Sequence, residues 1–164
     1  MLKIMGILLI VASCSAIGIL QSRSYKQRAD GIKSFIDAFS VAKAEIMFKN
    51  SPIIEICKMI EKQCSGAAKD YFCSIIAEES IPDSDKLALG LDSYQLKDPE
   101  KAEILSTLSV LGRYDGANQT EMIDKSVAHL EQLYSGAKED ITKSGKLSSA
   151  FGITAGIVIA ILLL

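Results

Sequence analysis

The chain has no tryptophan, a single histidine and three prolines in 164 residues. One histidine, His129, cannot build a histidine-based metal cluster. None of the four cysteines, Cys14, Cys57, Cys64 and Cys73, stands in the C-x-x-C spacing of a zinc or redox site, so they read as small apolar fillers. No glycine-rich loop is followed by Lys-Ser/Thr, which excludes a phosphate cradle of that type. A formal net charge of −2 leaves no electrostatic footprint for a nucleic acid. Alternating β-branched runs and Asn-Gly hairpin signals are missing, and with them any argument for a sheet. Two acidic runs, Glu78, Glu79, Asp83, Asp85 and Asp98, Glu100, Glu103, lack the alternating ligands, central glycine and final glutamate of a calcium loop. They read as loop and helix-start charges, favoured in a first turn by the helix dipole. No catalytic residue, metal ligand or cofactor site is expected.

Charge itself is missing from two places. Ile4 to Leu20 and Leu147 to Leu164 carry none, while residues 21–146 carry nearly all of it. Each run is about as long as the shortest transmembrane helix, roughly 17 residues. A buried core helix is the alternative, but two such segments at the ends of a small domain would be exposed. The expected organisation is a transmembrane helix over 1–20, a helical bundle over 21–146 and a second transmembrane helix over 147–164. Arg23, Lys26, Arg28 and Lys33 follow the first run, and Lys138, Lys143 and Lys146 precede the last; only Lys3 lies outside. The positive-inside rule then puts the bundle in the cytoplasm, where the cysteines stay reduced. A rival exists at the front: Val11-Ala12-Ser13-Cys14 has the spacing of a lipoprotein-processing box, which would make the chain an exported lipoprotein or envelope-associated protein processed at Cys14. Against it stand a single n-region charge, Lys3, and an apolar run that continues through Ile17 to Leu20.

Between the runs the periodicity is helical. Ile32, Phe35, Phe39, Ala42 and Ile46 form one stripe of a helix that runs from the first apolar segment to about Phe48. Ser51 is placed to cap a second helix with Pro52 at its first position, burying Ile53, Ile56, Ile60 and Cys64. Ser65-Gly66 breaks it. A third helix over about 67–79 presents Ala68, Phe72, Ile75 and Ile76. Ser84 opens a short helix to about Tyr94, and Asp98-Pro99 opens another that ends at Gly112. From about Gln119, Ile123, Val127, Leu130, Tyr134, Ala137 and Ile141 step by four and three, a heptad seam predicting one helix that runs on into the last apolar segment. The fold class is therefore all-α: an antiparallel bundle on two long helices that continue into the terminal spans.

Two features point to binding. Gly152 and Gly156, four apart in the last run, allow close helix packing, and Ala12 with Ala16 or Cys14 with Gly18 offer a matching small face. The turns at Lys49–Pro52 and Leu111–Gln119 fall at one end of the bundle, away from the spans if the long helices are straight. Ser51, Pro52, Gly112, Tyr114, Asp115 and Gln119 are the candidate partner-binding residues there. His129 lies off the seam and reads as solvated.

Together these residues resemble one family, stage III sporulation protein AB of endospore-forming bacteria. "MLKIMGILLIVAS" is similar to its opening span, "AEIMFKNSP" to its glutamate-aliphatic-x-aromatic segment before proline, and "LGRYDGANQ" to its loop, with Leu111, Gly112, Asp115 and Gln119 in place. "FGITAGIVIAILLL" resembles its glycine-punctuated closing span. Tyr114 stands where the family usually has serine, Phe48 where it has tyrosine, and its frequent tryptophan is absent. The resemblance implies a bundle similar to the cytoplasmic domains of type II secretion platform proteins. It also implies a non-enzymatic scaffold in the mother-cell membrane around the forespore, within the channel complex that joins the two cells. The implied partners are other proteins of that complex, a cytoplasmic ATPase, the membrane, and further copies of the chain in a homo-oligomer.

Overall fold

All regular structure among the described residues is helical. The computed structural model describes residues 2–49, 51–77, 90–111 and 116–145, with 147, 150 and 154; the side chains of 2–12, 14, 15, 116 and 145 lie outside that description. The helices are α1 (Leu2–Lys49), α2 (Ile53–Gln63), α3 (Ala67–Ala77), α4 (Asp98–Val110) and α5 (Gly116–Asp140), the last followed by a π-helical turn, Ile141–Gly145. The 48 residues of α1 contain no proline and span about 70 Å at 1.5 Å each. It thus has the continuity expected from the first apolar run to Phe48.

The chain packs as two compact units, Met1–Gln27 with Gly136–Leu164, and Arg28–Ser135. In the second unit the expected stripe of α1 is buried throughout: Ile32, Phe35, Phe39, Ala42 and Ile46. Ala29, Ser34, Ile36, Ala38 and Glu45 are buried as well. At 3.6 residues per turn these positions cover about two-thirds of the helix circumference. This part of α1 is the centre of the unit, not one wall of it. Along α5 and into the π turn the seam is graded. Ile123, Leu130 and Ala137 are fully buried, whereas Val127, Tyr134 and Ile141 are half-buried.

Tyr71, absent from the expected core, is its aromatic hub. Its ring meets Phe35 at 5.7 Å, Phe72 at 5.7 Å and Tyr94 at 6.5 Å, all edge to face. Each such pair adds about 0.5–1.5 kcal/mol beyond area burial. Gly90 makes the room: a Cβ there would lie 3.0 Å from the Tyr71 ring. Burial raises the Tyr71 phenol well above its usual range. The α2–α3 corner turns at Gly66, whose φ of +76° suits glycine. Ser34 of α1 locks that corner, since its Oγ donates to the Gly31 carbonyl at 2.7 Å and accepts from the Ala68 amide at 3.1 Å. That amide belongs to the first turn of α3, where helix donors lack internal partners.

Several expectations are corrected. Pro52 is the N-cap of α2 and extended (ψ 153°), not the first helical residue, and Ser51 supplies no cap bond. The Ser51 hydroxyl is taken by Glu45 instead, at 3.2 Å. Helix α4 is capped from Lys97, whose amide donates to Glu100 Oε2 at 2.8 Å. The described chain is helical only to Leu91 before a turn that includes Tyr94, and Ser84 lies outside the described residues. The long C-terminal helix is interrupted by the π turn. There the Thr142 hydroxyl donates to the Glu139 carbonyl at 2.9 Å, competing for an acceptor of the α ladder beside the weak helix former Gly145. Among the described residues no helix is long and apolar enough to cross a membrane. The first apolar run lies in α1, with the side chains of 2–12, 14 and 15 outside the description; the second run, apart from 147, 150 and 154, falls outside the described residues, as do Gly152 and Gly156.

Candidate docking surface

Three polar side-chain pairs fix how the helices of the second unit meet. Lys43 Nζ reaches both oxygens of Asp124 at 2.6 Å, which sets the start of α5 beside the end of α1. His129 Nδ1 lies 2.7 Å from Glu103 Oε2 and ties α5 to α4. His129 is exposed, as expected, but it has a partner. The third pair was not foreseen. Glu100, expected as a solvated helix-start charge, is wholly buried. Its Oε1 accepts from Arg28 Nε at 2.7 Å and Nη2 at 2.5 Å, while its Oε2 holds the Lys97 amide. Nothing in the spacing of Arg28 and Glu100, 72 positions apart, signals this pair.

Where α1 ends and α5 begins, apolar side chains face water. Phe48 is 82% exposed, and Met47, Ile54 and Met122 are exposed too. A phenylalanine left in water by a bundle with a dense aromatic core is unusual, and apolar patches of this kind mark interaction sites. The local bonds explain why Phe48 stays outside. Glu45, one helical turn back, is held inward by Lys49 Nζ at 2.9 Å and by the Ser51 hydroxyl, which pins the turn between α1 and α2. Positions 44, 47 and 48 then continue the solvent side of α1. The Pro52 carbonyl accepts from the Glu55 amide at 2.9 Å and the Ile56 amide at 3.2 Å, starting α2 with Ile54 outward.

The sequence-derived candidates distribute unevenly over this end. Ser51 is half-buried on Glu45, Pro52 is exposed, and Gln119 is buried in the first turn of α5. Gly112, Tyr114 and Asp115 lie outside the described residues. Met47, Phe48, Ile54 and Met122 were missed as surface residues. Their signal was available: each is a large apolar side chain outside the buried stripe of its own helix. Among the described residues no group of three or more His, Cys, Asp or Glu could hold a metal ion. Cys57, Cys64 and Cys73 are free thiols.

The family model for stage III sporulation protein AB matches residues 3–164. The chain belongs to the stage III sporulation protein AB family. Stage III sporulation protein AB of Bacillus subtilis (strain 168) is 26% identical over 171 residues, covering 100% of both chains. No solved structure matches. Membership in this sporulation family implies a role in endospore formation.

Proposed function

We propose that this stage III sporulation AB protein is a non-enzymatic platform in the mother-cell membrane around the forespore. It docks a cytoplasmic ATPase of the channel apparatus through the end of the bundle that carries Phe48. The observation that carries the reading is the exposure of Phe48 with Met47, Ile54 and Met122 where α1 ends and α5 begins. Aromatic anchors in such patches supply much of the energy of an interface, often above 2 kcal/mol each. Pro52 is exposed at the same end, and Tyr114 and Asp115 belong to its second turn in sequence. Gln119 and Ser51 support the surface from beneath.

Membrane anchorage by both terminal runs is part of this proposal. Ile17 and Leu20 are 65% and 62% exposed, and Ile19 is exposed with them. At about 100° per residue they point to roughly 0°, 300° and 200° around α1. One flat partner cannot cover three sides of a helix, whereas a lipid phase does.

The test is capture of the companion ATPase by the full-length protein in detergent. Phe48→Ala combined with Met122→Ala should weaken capture at least tenfold, and Tyr114→Ala with Asp115→Ala should weaken it further. His129→Ala should not. Helical circular dichroism should be unchanged in every variant. Full capture by the Phe48/Met122 variant, or loss of capture with His129→Ala alone, refutes the docking surface.

A further inference from the structure

Arg23 and Lys26 sit one and two turns beyond Leu20 on α1, and both are exposed. Neither makes an ion pair among the described residues. Most other exposed lysines with a carboxylate one helical turn away use it: Lys33 pairs with Asp37, Lys125 with Glu121 and Lys49 with Glu45. Arg23 has no acidic residue one turn away along its own helix, and Lys26 makes no ion pair with Asp30, one turn further on. The other strand of the same compact unit repeats the order. Lys143 is exposed one turn before the exposed Leu147, although its ammonium is matched by Glu139. The half-buried Tyr25 lies between the two free cations, the position that aromatic side chains favour at a lipid–water boundary.

An exposed apolar girdle followed within two turns by cations that make no ion pair among the described residues is complementary to an anionic phospholipid surface, with chains on the girdle and phosphates on the bases. Long basic side chains keep their stems on apolar surface and their heads in the polar layer. We infer that Arg23 and Lys26 bind the phosphates of anionic phospholipid headgroups, so that the protein selects anionic lipid as its boundary. This rests on the membrane anchorage proposed above. Each basic residue near an anionic surface contributes enough that two give roughly tenfold or greater selectivity, screened by salt.

The experiment uses the full-length protein reconstituted in phosphatidylcholine vesicles with traces of spin-labelled phosphatidylglycerol or phosphatidylcholine. The motionally restricted fraction of each label reads its relative affinity for the protein boundary. The wild type should prefer phosphatidylglycerol by about tenfold at low salt, less at high salt, and Arg23→Gln/Lys26→Gln should bring the ratio close to one. Co-flotation with phosphatidylcholine vesicles should persist in the variant. A reconstituted wild type without preference, or a variant that keeps it, overturns the inference while leaving the anchorage intact. Failure of the wild type to co-float overturns both. Inorganic phosphate displacing the labelled lipid beyond chloride at matched ionic strength would assign the bases to a free anion and overturn the lipid reading. An acidic protein as the occupant predicts no lipid preference in the purified chain.

Discussion

Glu100→Gln is the substitution that tests the core most sharply. The carboxylate is fully buried and Arg28, its partner, is 11% exposed, so solvent screening does little to weaken the pair. Both oxygens are committed on opposite sides: Oε1 to two Arg28 nitrogens and Oε2 to the Lys97 amide. Glutamine has the same shape but one acceptor. Whichever way its amide turns, an NH2 group faces a donor, either the guanidinium or the cap amide. Either orientation removes the carboxylate charge beside Arg28; the first also sets NH2 against the guanidinium donors, and the second breaks the start of α4. An unsatisfied buried group costs about 1–3 kcal/mol, and removal of one member of a buried pair about 3–5 kcal/mol. A loss of about 3 kcal/mol is expected, a large part of the roughly 5–15 kcal/mol that holds a domain. Urea unfolding of the full-length protein in detergent, followed by far-ultraviolet circular dichroism, should show the midpoint falling by more than 1 M for a slope of about 1–3 kcal/mol per molar. Replacing both members, Arg28→Leu with Glu100→Leu, should recover much of the loss, because a well-packed apolar pair is often as stable as a buried ionic one. An unchanged midpoint for Glu100→Gln would refute the reasoning.

Ser34→Ala removes the side-chain acceptor of the Ala68 amide and should cost about 1–2 kcal/mol, read as a lower thermal midpoint; a neutral result would mean the corner does not depend on that bond. Gly66→Ala has space, since the nearest atom to the added Cβ is 3.7 Å away, but φ +76° makes it strained, so a loss of about 1 kcal/mol is expected from backbone conformation alone. Burial pushes the Cys57 thiol up to about 11, which keeps it protonated and hidden at pH 8. Iodoacetamide should therefore modify Cys64 and Cys73 first, and equal rates measured by mass spectrometry would contradict the burial. His129→Ala breaks an exposed pair with Glu103 and should move stability by no more than about 0.5–1 kcal/mol.

The corrected elements show where reading along the chain stops working. The turn at Ser51-Pro52 was legible as a break, because proline ends one helix and starts another. Whether Ser51 caps the new helix or bonds backwards depends on Glu45 being buried beside it, which no capping rule contains. Helix α5 was legible from its seam, yet the π turn arises from a local contest between Thr142 and the ladder for a carbonyl. At the candidate docking end, the two turns were visible as glycine, proline and amide signals. Phe48, which dominates that end, was noted as a departure from the family's tyrosine, while its place outside the buried stripe of α1 went unread.

Helical periodicity, the proline and glycine breaks and the two charge-free runs determined the all-α class, the order of the elements and about half of the buried aliphatic positions, while those of α4 and of Leu91 and Leu96 went unnamed. They could do so because a helix presents every third or fourth residue to one side whatever it packs against. Tertiary structure alone decided the rest. Tyr71 became a core residue because Gly90 leaves room for its ring and Phe35, Phe72 and Tyr94 surround it. Glu100 left water because Arg28 meets it across the fold. Phe48 stayed in water because the buried Glu45 fixes the face of α1 that turns inward. Each outcome depends on which distant side chain arrives at the site, and spacing along one chain carries no record of that.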